Sequence, residues 1–200
     1  MTWASQLGKY GVQAGGGGPG ILEATGGTVV DYTDPAGDWR SHTFLTSSSP
    51  GFEVTGITGD PAVDIIEYLL VAGGGSGGQN IAGGGGGGGT RVMTAQPVAV
   101  GSYPITIGAG GTVSQPSTPG TVGGNGTDSS FNAPSAVTTT GGGGGAGHPG
   151  AVAAGQPGGS GGGATGHGEN PGGRGTLGNG NTPNTPAWGI VQGYPGGFGL

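Results

Sequence analysis

The pattern Gly-x-Ser-x-Gly occurs twice, at Gly74-Gly75-Ser76-Gly77-Gly78 and Gly158-Gly159-Ser160-Gly161-Gly162. On a strand-to-helix turn this pattern presents a serine nucleophile. Such a serine also needs a base held by a third group. No helix can follow either copy, since glycine costs a helix roughly 1 kcal/mol per position. In a chain with 58 glycines among 200 residues, the pattern follows from composition. Gly-x-Gly-x-x-Gly recurs for the same reason, and no Gly-Lys-Ser/Thr supplies the lysine that phosphate cradling needs. His148, His167, Glu169 and Asp128 are the side chains to consider for a metal. They lie in irregular glycine-rich chain without an i, i+4 pair, and read as exposed or hydrogen-bonded groups. We expect no enzyme, no metal and no cofactor.

Aromatic residues are better candidates for recognition. Trp188, Tyr194 and Phe198 cluster in the last thirteen residues, where little core is available to them. Aromatic rings combine an apolar face with a polar handle. They could stack on a sugar of a receptor or anchor the end against a neighbouring subunit, and packing is the favoured of the two. Trp3, Leu7, Tyr10 and Val12 precede the glycines at 15–18 and lack a core of their own, which makes 1–25 a candidate docking segment. Trp39, Phe44, Phe52 and Tyr68 read as the core of an N-terminal β unit, with His42 facing outwards.

Composition limits the elements that could hold these residues. Ile, Leu, Val and Phe total 33, too few for one conventional core of this length. A net charge of −6 with 7 % charged residues does not suggest disorder by charge repulsion. Four isolated basic residues (Lys9, Arg40, Arg91 and Arg174) cannot neutralise a phosphate backbone, which excludes nucleic acid as a partner. No apolar run is long enough for membrane insertion, and cysteine is absent, so there are no disulfides or thiolate metal sites.

Only 13 glycines lie in residues 1–70, against 45 in 71–200, and eight of ten acidic residues lie before residue 68. The first part therefore packs, and reads as short strands at 28–32, 42–46 and 52–55 with turns at 34–37 and 47–51. The apolar run Ile65-Ile66-Glu67-Tyr68-Leu69-Leu70-Val71 has some helical spacing but no start cap, and three glycines end it. A buried strand is the better reading. Residues 92–100 suit an edge strand because of Pro97; 103–107 and the weaker 131 and 136–140 complete the set.

The glycine runs at 83–89 and 141–145 break any Gly-X-Y register, which excludes collagen. A flexible linker remains open, because glycine has the most conformational entropy to lose on ordering. So does a lattice of extended left-handed helices with three residues per turn. These have no internal hydrogen bonds, so their peptide groups can pair with neighbours.

The order of segments resembles the glycine-rich domain of bacteriophage tail-fibre and adhesin proteins. The matching blocks are Gly26-Gly27-Thr28, Ser41-His42-Thr43-Phe44, Phe52-Glu53-Val54 and Glu67-Tyr68-Leu69-Leu70-Val71-Ala72-Gly73-Gly74-Gly75. Downstream they are Gly101-Ser102-Tyr103-Pro104-Ile105-Thr106-Ile107-Gly108-Ala109-Gly110-Gly111, Ser129-Ser130-Phe131 and Gly193-Tyr194-Pro195-Gly196-Gly197. Gln79-Asn80-Ile81-Ala82 interrupts what is usually unbroken glycine. The resemblance favours the lattice. It implies a mainly β fold with extended irregular structure: a small antiparallel β unit plus packed polyglycine-II-type helices, with little or no α-helix. The expected division is a docking segment at 1–25, a β unit at 26–111 and a glycine-rich region at 112–200, with 112–134 as an exposed variable surface. The implied function is non-enzymatic: a virion tail fibre, adhesin or attached tail component for host attachment, assembled in the host cytoplasm. Expected partners are other virion proteins, further copies of the chain (a trimer is one option) and a host-surface glycan or protein. A capsid decoration or capsid fibre is the alternative, and an ice-binding polyglycine-II protein is a remote one.

Overall fold

A computed structural model describes residues 6–10, 22–35, 37–80, 82–112, 120–148 and 154–164. The chain forms two compact units that interleave in sequence. One comprises Met1–Leu70, Val92–Ile107 and Ser130–Val137; the other comprises Val71–Arg91, Gly108–Ser129 and Thr138–Leu200. The strands are β1 (Gln6–Tyr10), β2 (Glu23–Thr25), β3 (Thr28–Asp34), β4 (Gly37–Thr43), β5 (Ser48–Gly56), β6 (Ile65–Val71), β7 (Thr90–Pro97), β8 (Gly101–Thr106), β9 (Ser129–Asn132) and β10 (Ala136–Thr139). They make sheets ordered β1-β4-β3, β10-β9-β8-β5-β2 and β6-β7. The fold is mainly β, with antiparallel pairing and no helix among the described residues. Ile65–Val71 is the strand its composition predicts, and Pro97 ends β7 in a two-stranded sheet.

The first unit's core follows from strand alternation. Ile66, Tyr68 and Leu70 fall on one face of β6, and all are buried. They join Phe52 and Val54 of β5, Ile105 of β8, and Phe131 of β9. The Phe131 ring meets Tyr68 edge-on at 4.9 Å and Phe52 at 6.1 Å. Each such pair adds about 0.5–1.5 kcal/mol beyond area burial. Asp64, also buried, fixes the turn into β6. Its carboxylate accepts from the N–H groups of Thr58 and Gly59 at 2.8 and 2.9 Å.

Two expectations are corrected here. His42 does not face outwards: it is 1 % exposed, and its Nδ1–H donates to the Gly26 carbonyl at 2.7 Å. Its ring also meets Phe52 edge-on at 5.2 Å. Trp39 is only half-buried and lies outside the core cluster. The strand begins at Gly37, earlier than expected, and takes in both residues, with His42 three positions after Trp39. A period of two therefore sends them to opposite faces.

Burial holds the His42 pKa below its ordinary value, and the Gly26 bond opposes that only in part. The unfolded chain therefore takes up the proton first. This contribution to stability is whole above about pH 6.5 and declines as pH falls towards the lower folded value. Thermal midpoints measured from pH 8 to pH 5 should fall for the wild type, with a shallower slope for His42→Gln. Equal slopes would rule out His42 as a source.

The second unit has another organising rule. Segment 72–79 runs antiparallel to 83–89, with the N–H groups of Ala72, Gly75 and Gly78 donating to the carbonyls of Gly89, Gly86 and Gly83. It also runs antiparallel to 121–128, through Gly73, Ser76 and Gln79 to Thr127, Gly124 and Thr121. Segment 141–148 runs parallel to it, through Gly142, Gly145 and His148 to Gly73, Ser76 and Gln79. Every one of these ladders advances three residues at a time, where a β ladder would alternate in twos. One segment can thus bond neighbours in several directions. Asn80, at φ 60°, lies in the reversal between 72–79 and 83–89, so the interruption of the glycine run is where the chain turns back.

Segment 141–146 has complete peptide hydrogen bonding. The N–H groups of Gly142, Gly143, Gly145 and Ala146 donate to Gly73, Ser160, Ser76 and Gly163. Those of Gly141 and Gly144 donate to the side chains of Asp128 and Asn125, at 2.9 and 2.8 Å. Carbonyls 140–146 accept in turn from Gly89, Gly159, Gly126, Gly86, Gln156, Gly123 and Gly83. This satisfies the requirement that buried peptide groups be paired. A Cβ on Gly143 would overlap the Gln156 carbonyl, and one on Gly75 the Gly143 carbonyl. Glycine is here a condition of close approach.

Candidate functional site

In the first unit, β3 and β4 form a regular hairpin in which Asp34 pairs with Gly37. That register puts Tyr32 opposite Trp39, Asp31 opposite Arg40, and Thr33 opposite Asp38. Tyr32 and Trp39 are nearly parallel, 12° apart with centroids 6.5 Å apart, and both are half-buried. The indole N–H of Trp39 donates to Asp34 Oδ1 at 2.9 Å, which fixes the ring. Arg40 donates from Nε and Nη2 to the two carboxylate oxygens of Asp31, at 2.6 and 2.9 Å. Thr33 Oγ1 donates to Asp38 Oδ1 at 2.7 Å.

Residues 31–33 and 38–40, with Glu23–Thr25 of β2 and Thr55 of β5, border an open cleft of about 540 Å³. Its carboxylates are Glu23, Asp31 and Asp38, against one guanidinium. The bond from Arg40 holds the Asp31 carboxyl below its usual range. Partial burial, with the charges of Asp34 and Glu67, raises the Tyr32 pKa, so the phenol keeps its proton. Strand alternation puts the rings of Tyr32 and Trp39 on one face of the hairpin and Asp31, Thr33, Asp38 and Arg40 on the other.

The other sequence candidates resolve differently. Ser76 Oγ donates to the Thr112 carbonyl at 2.7 Å and accepts from Gly124 N–H at 2.8 Å, so it braces glycine segments. Ser160 also lies among them, its N–H donating to Gly87. Asp128 accepts from Gly141, and the His148 N–H donates to Gln79. Leu7 and Tyr10 lie on β1, with backbones paired to Arg40 and Asp38. Trp3, Val12, His167, Glu169, Trp188, Tyr194 and Phe198 fall outside the described residues. The stretch 112–134 is not one exposed loop: 121–128 is a bonded glycine segment, and Phe131 is 4 % exposed.

A family model described as a glycine-rich domain matches residues 53–200. The chain belongs to this glycine-rich domain family. The match spans most of the chain and takes in all the bonded glycine segments described above. The β3–β4 hairpin, and with it the Tyr32–Trp39 pair, precedes the matched part of this glycine-rich domain protein. No match was found among curated proteins or among solved structures.

Proposed function

We propose that this glycine-rich domain protein is a non-enzymatic structural component of a bacteriophage particle, a tail fibre or adhesin that takes part in host attachment. In this reading segments 72–79, 83–89, 108–112, 121–128, 141–148, 155–157 and 160–164 are polyglycine-II-type helices, packed side by side. The observation that carries it is the three-residue step of the peptide hydrogen bonds, which recurs in parallel and antiparallel neighbours. A helix with three residues per turn presents its peptide groups outwards at that interval. Such packing gives a rigid body from small residues, held by its backbone rather than by a large apolar core. That suits a particle component whose task is shape. Its partners are other virion proteins and copies of itself, and it is assembled in the host cytoplasm.

The test is to purify phage particles from cells expressing the gene and probe them with antibodies raised against the chain. We expect the chain among the particle proteins by mass spectrometry, with immunogold label on the tail. Particles free of the chain would overturn the proposal; label confined to the capsid would overturn the tail assignment.

A further inference from the structure

We propose that Asn125–Gly126 is a site of spontaneous deamidation gated by the glycine segments, reactive only when 121–128 parts from 141–148. The proposal goes beyond the virion reading and does not rest on it. The chemistry is that of an asparagine followed by glycine, whose lack of a Cβ leaves ring closure least hindered. Hydroxide removes the Gly126 amide proton, and the nitrogen attacks Asn125 Cγ. An N–Cγ bond forms, the Cγ–Nδ2 bond breaks, and Nδ2 leaves as ammonia. Water then opens the cyclic succinimide. Attack at Cγ gives aspartate; attack at the main-chain carbonyl gives isoaspartate, in which the chain runs through the former side chain. The sum is one water consumed and one ammonia released.

In the fold both reacting groups are committed to the same neighbour. The Gly126 N–H donates to the Gly142 carbonyl at 2.8 Å, which holds the proton that must leave first. Asn125 Oδ1 accepts from the Gly144 N–H at 2.8 Å, which keeps the carboxamide turned towards 141–148 and away from its own main chain. That neighbour is buried from 141 to 147, whereas Asn125 is exposed. Water therefore reaches the side chain, and the protection lies in the bonding. The main chain has no room to pivot: a Cβ on Gly126 would overlap the Gly73 carbonyl, and one on Gly141 the Gly126 carbonyl. Cyclisation must wait for a local opening of the kind that gates amide exchange.

The isoaspartate product cannot close again. It adds one carbon to the main chain between the Gly123 and Gly126 N–H groups, which donate to the carbonyls of Gly145 and Gly142. A lengthened repeat cannot meet both, and a buried carbonyl loses its donor. Each opening that ends in reaction is thereby made permanent.

The experiment keeps the full chain at mildly alkaline pH, in buffer and in concentrated urea, and follows Asn125 by peptide mapping with mass spectrometry and isoaspartate methyltransferase labelling. In urea Asn179–Gly180, the chain's second such pair, serves as an internal standard for the intrinsic rate. Asn125 should react at least about tenfold more slowly in buffer than in urea. Gly143→Val, which separates the segments, should restore most of the urea rate whether or not the variant folds. Among aged native chains, those bearing isoaspartate should be cut first by protease. Asn125→Asp, which keeps the acceptor oxygen and the main-chain length, should resist protease as the wild type does. Equal rates in buffer and urea would overturn the gate, as would a Gly143→Val rate equal to the native one. Isoaspartate-bearing chains as resistant as unreacted ones would overturn the permanence of the product.

Discussion

Gly143→Val should abolish the ordered structure of residues 141–148 and leave the second unit open to protease, whereas Gly84→Ala should be tolerated. At Gly143 the new Cβ would overlap the Gln156 carbonyl and crowd the Gly162 amide, both main chain. No flexible side chain is available to move aside. Separating the segments would break the Gly143 N–H bond to Ser160 and the Gly86 bond to the Gly143 carbonyl, in a stretch that is buried throughout. Overpacking costs about 1–3 kcal/mol, and each buried peptide group left unpaired adds about 1–3 kcal/mol more. The sum rivals the whole stability of a typical domain. A Cβ on Gly84 meets nothing within 4 Å, and one on Gly87 meets only Ser160 Oγ at 3.9 Å. Removing glycine entropy from the unfolded chain there should make Gly84→Ala neutral, or stabilising by about 0.4–1 kcal/mol. Amide exchange over 141–146 measures both variants. Equal protection in Gly143→Val and wild type would show that close approach is not what these glycines serve.

Much of this was legible in the sequence, and the failures have physical causes. The strands β3, β5, β6 and β8 announced themselves by β-branched residues and turn signals, which act over a few neighbours. Residues 34–37 likewise marked the turn of the hairpin. Counting back from Asp34 and forward from Gly37 pairs 32 with 39 and 31 with 40, so the cleft's aromatic and ion pairs were within reach of register counting. Residue type alone sends Trp39 to the core and hides this pairing. Residue type alone also places His42 outside; the Gly26 carbonyl and the Phe52 ring, brought to it by the tertiary fold, hold it inside. The glycine segments were beyond local reading. Their partners are set by hydrogen bonds between residues as distant as Gly73 and Gly142, and glycine carries no side-chain pattern to encode register. What specifies position there is the sparse non-glycine residues. Asn125 and Asp128 bond Gly144 and Gly141, three residues apart on both segments.

Phe52→Ala should be the most damaging single truncation in the first unit, at about 3–5 kcal/mol. Phe52 is 1 % exposed, and its ring is central to an aromatic group. It meets His42 at 5.2 Å, Phe131 at 6.1 Å and Tyr103 at 6.3 Å. Alanine removes the ring's apolar area and all three aromatic contacts, and leaves a cavity between strands that backbone pairing prevents from collapsing. The chain has few ways to compensate. Among the described residues only nine Ile, Leu, Val and Phe residues belong to the buried core, among them Leu22, Ile66 and Val137. Each therefore bears a larger share of the driving force than in a protein of ordinary composition. Leu45→Ala provides the comparison, since Leu45 is 55 % exposed and its loss should change stability by no more than about 0.5 kcal/mol. Urea denaturation followed by near-ultraviolet circular dichroism reports the aromatic environment of this core. The midpoint should fall sharply for Phe52→Ala, remain close to wild type for Leu45→Ala, and lie between them for Phe52→Leu, which restores part of the volume. If Phe52→Ala and Leu45→Ala shift the midpoint equally, the stability of this unit does not reside in its aromatic cluster.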